Sequence, residues 1–106
     1  MAATELQTKE GILAFLQRNR PRLISLGLRR IGLFGSLARG ELSEESDIDI
    51  LVEFLPGRKS YRNFINLAWF LEDNLHRSVD LLTPESLSPY IGPHVLQEAQ
   101  YIDLAG

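Results

Sequence analysis

Leu33-Phe34-Gly35-Ser36-Leu37-Ala38-Arg39-Gly40-Glu41-Leu42-Ser43-Glu44-Glu45-Ser46-Asp47-Ile48-Asp49-Ile50-Leu51-Val52 is the stretch from which the rest of the chain is read. An apolar run stops at Gly35-Ser36. A second apolar run carries two carboxylates, Asp47 and Asp49, near its start. Leu28 to Phe34 reads as a strand, and the apolar pair at its end suits a strand covered on both faces. Asp47 to Phe54 reads as another, with Ile48, Ile50 and Val52 alternating against Asp47, Asp49, Leu51 and Glu53. Between them, Ser36 to Arg39 suits a first helical turn and Gly40 to Ser46 a polar loop. Gly32, inside the first strand, predicts a bulge or a close backbone approach.

Outward from this centre, strands and helices alternate. Thr8 is placed to cap a helix over Lys9 to Arg18, with Ile12, Leu13 and Leu16 on one side, and Asn19-Arg20-Pro21 ends it. A short turn through Leu23, Ile24 and Leu26 closes at Gly27. Pro56-Gly57 turns the chain after the second strand. Ser60 caps a helix to about His76 whose core face is Tyr61, Phe64, Leu67, Ala68, Leu71 and Leu75. Arg77 to Leu82 is a third strand carrying Asp80, and His94 to Tyr101 is a last helix. The expected fold is α/β (α+β): a small mixed sheet of three to four strands with helices packed mainly on one face.

The 106 residues suit one domain spanning 1–106, with 44% hydrophobic and 24% charged residues, as in globular proteins. A net charge of −3 argues against broad, direct nucleic-acid binding. No cysteine is present, so disulfides and thiolate sites are excluded, and the two imidazoles, His76 and His94, lie far apart in sequence. Oxygen ligands for a hard cation remain as the supported metal chemistry. No signal-peptide core or membrane-length apolar run is seen, and a cytoplasmic protein is expected.

Asp47 and Asp49 are two apart on a strand, so both leave one face, with Cα atoms roughly 6.6 Å apart. They can converge on divalent ions, which lie about 3.5–4 Å apart in two-metal sites. If the strands pair, Asp80 stands about 4.8 Å away on the neighbouring backbone and completes a carboxylate triad. Three such acids repel one another unless a cation such as Mg2+ joins them. Gly35 lets the backbone approach a phosphate, and the Ser36 hydroxyl and following amides can donate to anionic oxygens. An acceptor hydroxyl aligned on the same phosphate gives catalysis by positioning and charge neutralisation. Three other motifs fail. Glu41 replaces the lysine of a P-loop, Leu51 and Val52 break a calcium loop, and Ser36 lacks the glycines of a nucleophile elbow.

Gly35-Ser36, ten residues, Asp47-Ile48-Asp49 and a later Asp80 together resemble the nucleotidyltransferase superfamily that includes DNA polymerase β. The fuller strings Phe34 to Gly40 and Ser46 to Val52 are similar to its minimal nucleotidyltransferase (MNT) branch, many members of which are antitoxins encoded beside a HEPN-domain ribonuclease toxin. The resemblance covers roughly residues 31–82. It implies the nucleotidyltransferase fold and Mg2+-dependent transfer of AMP from ATP, with two ions, to a tyrosine hydroxyl of the HEPN partner. Gly35 and Ser36 match its triphosphate-binding turn, and Asp47 and Asp49 its metal ligands. Asp80 matches the third carboxylate, a metal ligand or an aid to deprotonation. Arg39 lies in the matching string and is assigned to holding phosphate or the acidic loop. Two alternatives stand beside this reading: an antitoxin that neutralises by binding alone, and transfer to a small-molecule hydroxyl. Phe70, read as pointing about opposite to the helix's core face, and Trp69, on its flank, form a candidate contact surface for a HEPN toxin or a homo-oligomer. Tyr90, Tyr101 and Ile102 form a second.

Overall fold

The structure is a computed structural model and describes residues 8–35, 40, 47–90 and 92–104. Helix α1 (Lys9–Arg18) starts at Thr8, whose hydroxyl accepts from the Gly11 N–H at 3.0 Å. Asn19 closes it, and α2 (Arg20–Ser25) follows at once with Pro21 in its first turn. Strands β1 (Leu28–Leu33) and β2 (Ile48–Phe54) come next, then α3 (Tyr61–Leu75), β3 (Val79–Leu82), a 3-10 turn (Pro84–Ser86), α4 (Gly92–Glu98) and β4 (Gln100–Asp103).

The four strands form one mixed sheet in the order β3-β2-β1-β4. β1 runs antiparallel to both β2 and β4, and β2 runs parallel to β3. A parallel pair needs a crossover, which α3 supplies. One residue set from all these layers forms the core: Ile12, Phe15 and Leu16 of α1, Leu23 of α2, Leu67, Leu71 and Leu75 of α3, against Ile31, Leu33, Ile48, Ile50, Val52, Leu81 and Ile102 of the sheet. The helices α1, α2 and α3 therefore share one face of the sheet, as the helical and strand periodicities required.

Strand β1 solves a spacing problem. Leu28, Ile31 and Leu33 are all fully buried, yet 28 and 31 differ by an odd number and would face opposite ways in a regular strand. The pairing steps from Leu28↔Phe54 to Arg30↔Glu53, so Arg29 is an extra, bulged residue. The bulge returns Leu28 to the core face. Gly32 is not the bulge. It is a close approach: a Cβ there would lie 2.9 Å from the Tyr101 ring of β4 and 3.2 Å from the Gln100 carbonyl oxygen.

Three expectations are corrected. Residues 100–103 form strand β4 and not the end of a helix, pairing with β1 through Ile31↔Ile102 and Gly32↔Tyr101. Tyr61 is 82% exposed and not part of the core face, although Phe64 in the same turn packs against the core. Phe70 faces inward enough to pack on the core. Its ring stacks on Phe15 at 6.0 Å between centroids, with the Arg22 guanidinium 5.6 Å from its centre.

Candidate active site

The site grows from the ends of three strands. The β1–β2 ladder continues one step past β1, where the Phe34 N–H donates to the Asp49 carbonyl at 3.2 Å. This bond sets the next residue, Gly35, beside Asp49. Gly35 has φ +67, and a Cβ added there would fall on the Asp49 carboxylate. The turn and the acid thus occupy one small space, which only glycine leaves open.

On the other side of β2, the Ile48 N–H donates to the Ser78 carbonyl at 3.0 Å and starts the parallel ladder. The register that follows is Ile48↔Val79 and Asp49↔Asp80. Paired residues of neighbouring strands point to the same face, so Asp49 and Asp80 stand side by side. That face is opposite the one carrying Ile48, Ile50 and Val52 into the core. Glu72, near the end of α3, accepts from the Val79 N–H at 3.0 Å and ties down the start of the strand that carries Asp80. Asp47 lies just outside β2 and is exposed. Asp49 is half-buried and Asp80 exposed.

Among the described residues no three His, Cys, Asp or Glu side chains are already gathered as a cation cage. What the fold provides is position: two carboxylates in register on adjacent strands, a third two residues ahead, and a glycine turn pressed against the middle one. Oxygen donors of this kind suit a hard divalent ion. Ser36 and Arg39 lie outside the described residues.

The same sheet face carries a cluster that the sequence did not single out. Arg30 is paired across the ladder with Glu53. Its Nε donates to Glu53 Oε2 at 3.0 Å, and a second nitrogen, Nη2, meets the same oxygen closely. Its guanidinium also lies 4.0 Å from the centre of the Tyr101 ring, which rests on Gly32. The Glu53 hydrogen bond holds the Arg30 pKa above its ordinary value. Burial pushes the Tyr101 phenol up, partly offset by the Arg30 charge. The available signals were the shared parity of Asp49 and Glu53 along β2 and the glycine inside β1.

These residues frame a comparison with known proteins. The chain matches the description "nucleotidyltransferase domain" over residues 10–102. It belongs to that family. It is a nucleotidyltransferase, and its resemblance to the MNT branch holds across nearly the whole chain. The protein adenylyltransferase MntA of Thermococcus cleftensis is 43% identical over 105 residues, which is 96% of this chain and 100% of that one. A solved structure named as a candidate minimal nucleotidyltransferase superposes with a TM-score of 0.68 at 37% identity, covering 83% of this chain and 93% of that one. A second, the tri-AMPylated Shewanella oneidensis HEPN toxin in complex with MNT antitoxin, gives a TM-score of 0.51 at 27% identity, covering 80% of this chain and 69% of that one. The mixed four-stranded sheet with its helices is the fold of these neighbours.

Proposed function

We propose that this nucleotidyltransferase transfers AMP from ATP to a hydroxyl, a tyrosine in the simplest case, of a HEPN-domain ribonuclease toxin and so acts as its antitoxin. The observation that carries the reading is the seating of Gly35 against Asp49 with Asp80 in register beside it. Support for the donor and acceptor comes from the adenylyltransferase name of the Thermococcus cleftensis relative and from the AMPylated HEPN toxin in the Shewanella oneidensis complex.

In this reading Asp47 and Asp49 would hold Mg2+, two ions in the full site, with Asp80 as a further ligand or as the group that would take the acceptor's proton. When bound, Mg2+ neutralises phosphate charge and the mutual repulsion of the three acids. Gly35 and Ser36 would bring backbone and hydroxyl donors to the triphosphate, and Arg39 is assigned to holding phosphate or the acidic loop. The acceptor oxygen attacks the α-phosphorus in line. A phosphate ester forms, the α–β anhydride bond breaks, and pyrophosphate leaves. That Asp80 is exposed, on the outermost of the three strands, supports its meeting an incoming hydroxyl. Free ATP and Mg2+ make the cytoplasm the compartment for this chemistry.

The test uses ATP labelled at the α-phosphate, Mg2+, the purified chain and its HEPN protein. Label on the HEPN protein that needs Mg2+ and both Asp47 and Asp49, with an added AMP mass on tyrosine, supports the reading. No label from any of the four nucleoside triphosphates, with the ribonuclease still silenced by an Asp47→Ala/Asp49→Ala chain, would replace it with inhibition by binding alone.

A further inference from the structure

On the side of the molecule away from Asp49 and Asp80, α3 carries a ridge that the fold leaves unused. Tyr61, Ile65, Trp69 and Asp73 follow at intervals of four and so lie in one row. Tyr61 is 82% and Trp69 63% exposed, and Ile65 is half-buried. Arg62 flanks the row within its first turn. Arg62 and Asp73 are both exposed, and among the described residues neither meets an opposite charge. Glu72 is turned toward β3, where its carboxylate accepts from the Val79 N–H.

We propose that this ridge is the contact between two copies of the chain, packed antiparallel about a two-fold axis that meets the ridge between Ile65 and Trp69. The charge order selects this occupant. An antiparallel pair sets Arg62 of each copy against Asp73 of the other, while Trp69 enters between Ile65 and Asn66 of the other. A parallel pair would set like charges together. Two-fold contacts are self-complementary, and a basic start with an acidic end around an apolar middle is such a surface. Ridges of residues spaced by four pack at roughly −50°. The site face lies on the opposite side of the sheet, so pairing through α3 leaves both acid clusters open to a substrate. One helix crossing buries less than the roughly 1,200–2,000 Å2 of a stable interface. The dimer is therefore weak and depends on concentration.

Sedimentation velocity from low-micromolar to millimolar chain reads the dimer directly. Trp69 is the single tryptophan, so its emission reports the same contact. The expected result is a reversible dimer whose assembly shifts Trp69 emission to the blue. Arg62→Asp and Asp73→Arg each weaken it about tenfold, because each change counts twice across the axis, and the double variant returns to within about threefold of the starting affinity. Trp69→Ala weakens it about thirtyfold or more while circular dichroism shows an unchanged fold. A monomer at every concentration overturns the proposal, as does a dimer unaffected by Trp69→Ala or a double variant that is not rescued. Protection of Trp69 that occurs only when a HEPN protein is added assigns the ridge to that protein and equally overturns it.

Discussion

Gly35 and Asp49 share one pocket of space, and the consequence can be put in numbers. An alanine at 35 meets two penalties. A left-handed backbone costs a non-glycine residue about 1–2 kcal/mol, and its methyl would displace the Asp49 carboxylate. Gly57 separates the two effects, since it has φ +78 but nothing within 4 Å of an added Cβ. Gly57→Ala should lower stability by a similar backbone increment and leave AMP transfer intact. Gly35→Ala should also cut transfer by about a hundredfold, the scale of loss that an ångström of misplacement produces. Thermal melts and labelled-ATP transfer on both variants check this. Equal activity in the two would mean that Asp49 need not stay where the fold puts it. Tyr101 allows a second test at this scale. Burial raises its pKa above 10.0, so the folded state holds the phenolic proton more tightly than the unfolded chain does. The associated stability is present below about pH 10 and is lost as pH rises through the folded value. Tyr101→Phe should flatten that alkaline decline in a series of melts taken between neutral pH and the upper limit of reversibility.

Elements were legible where their signal was long and regular. The alternation of Ile48, Ile50 and Val52 placed β2, and the caps Thr8 and Ser60 placed the starts of α1 and α3. Strand β4 was not legible, because Gln100-Tyr101-Ile102-Asp103 has one core residue, Ile102, and gains its ladder only from β1 folded far away in sequence. Tyr61 sits at the margin between the core face of α3 and its exposed row, and periodicity alone does not say to which side such a residue turns. Phe70, read as facing away from the core, is half-buried and packs on Phe15 and under Arg22, partners from other elements that the periodicity of α3 does not contain. In β1 the odd spacing of Leu28 and Ile31 held the clue to the bulge at Arg29, while the glycine drew attention to Gly32. The end of α3 supplies the prediction at this scale. His76 closes the helix with φ 55, the left-handed conformation in which glycine is favoured, and its N–H donates to the Glu72 carbonyl at 2.9 Å. His76→Gly should keep that bond and relieve the strain, raising stability by about 0.5–1 kcal/mol as read by urea unfolding. A loss of stability would show that the imidazole makes a contact worth more than the backbone relief.

At the scale of the molecule, the sheet divides the labour between its two faces. One face carries Ile31, Ile48, Ile50, Val52 and Ile102 into the helices, and the other carries Asp49, Asp80 and the Arg30–Glu53–Tyr101 cluster. The candidate site residues were legible as an order along the chain, Gly35 then Asp47 and Asp49 then Asp80. Their meeting was legible only as a condition, that the strands pair, since it depends on β2 joining β3 in one register out of several. That register sets two carboxylates directly opposite each other, an arrangement that destabilises a sheet by about 0.2–1 kcal/mol when no cation is present. The site is thus maintained against the stability of the sheet that holds it, and the two quantities should move in opposite directions. Asp80→Asn removes one of the opposed charges without changing the side chain's size. In Mg2+-free buffer it should unfold at a temperature about 2–4 °C higher than the unaltered chain, the shift that roughly 0.5 kcal/mol gives a domain of this length. Adding Mg2+ should stabilise the unaltered chain by mass action and the variant less, so the gap should narrow or reverse as the ion is raised. AMP transfer by the variant should be lost over the same range. An Asp80→Asn chain no more stable than the original without the ion, and equally stabilised by Mg2+, would remove Asp80 from the proposed metal site and confine the proposal to Asp47 and Asp49.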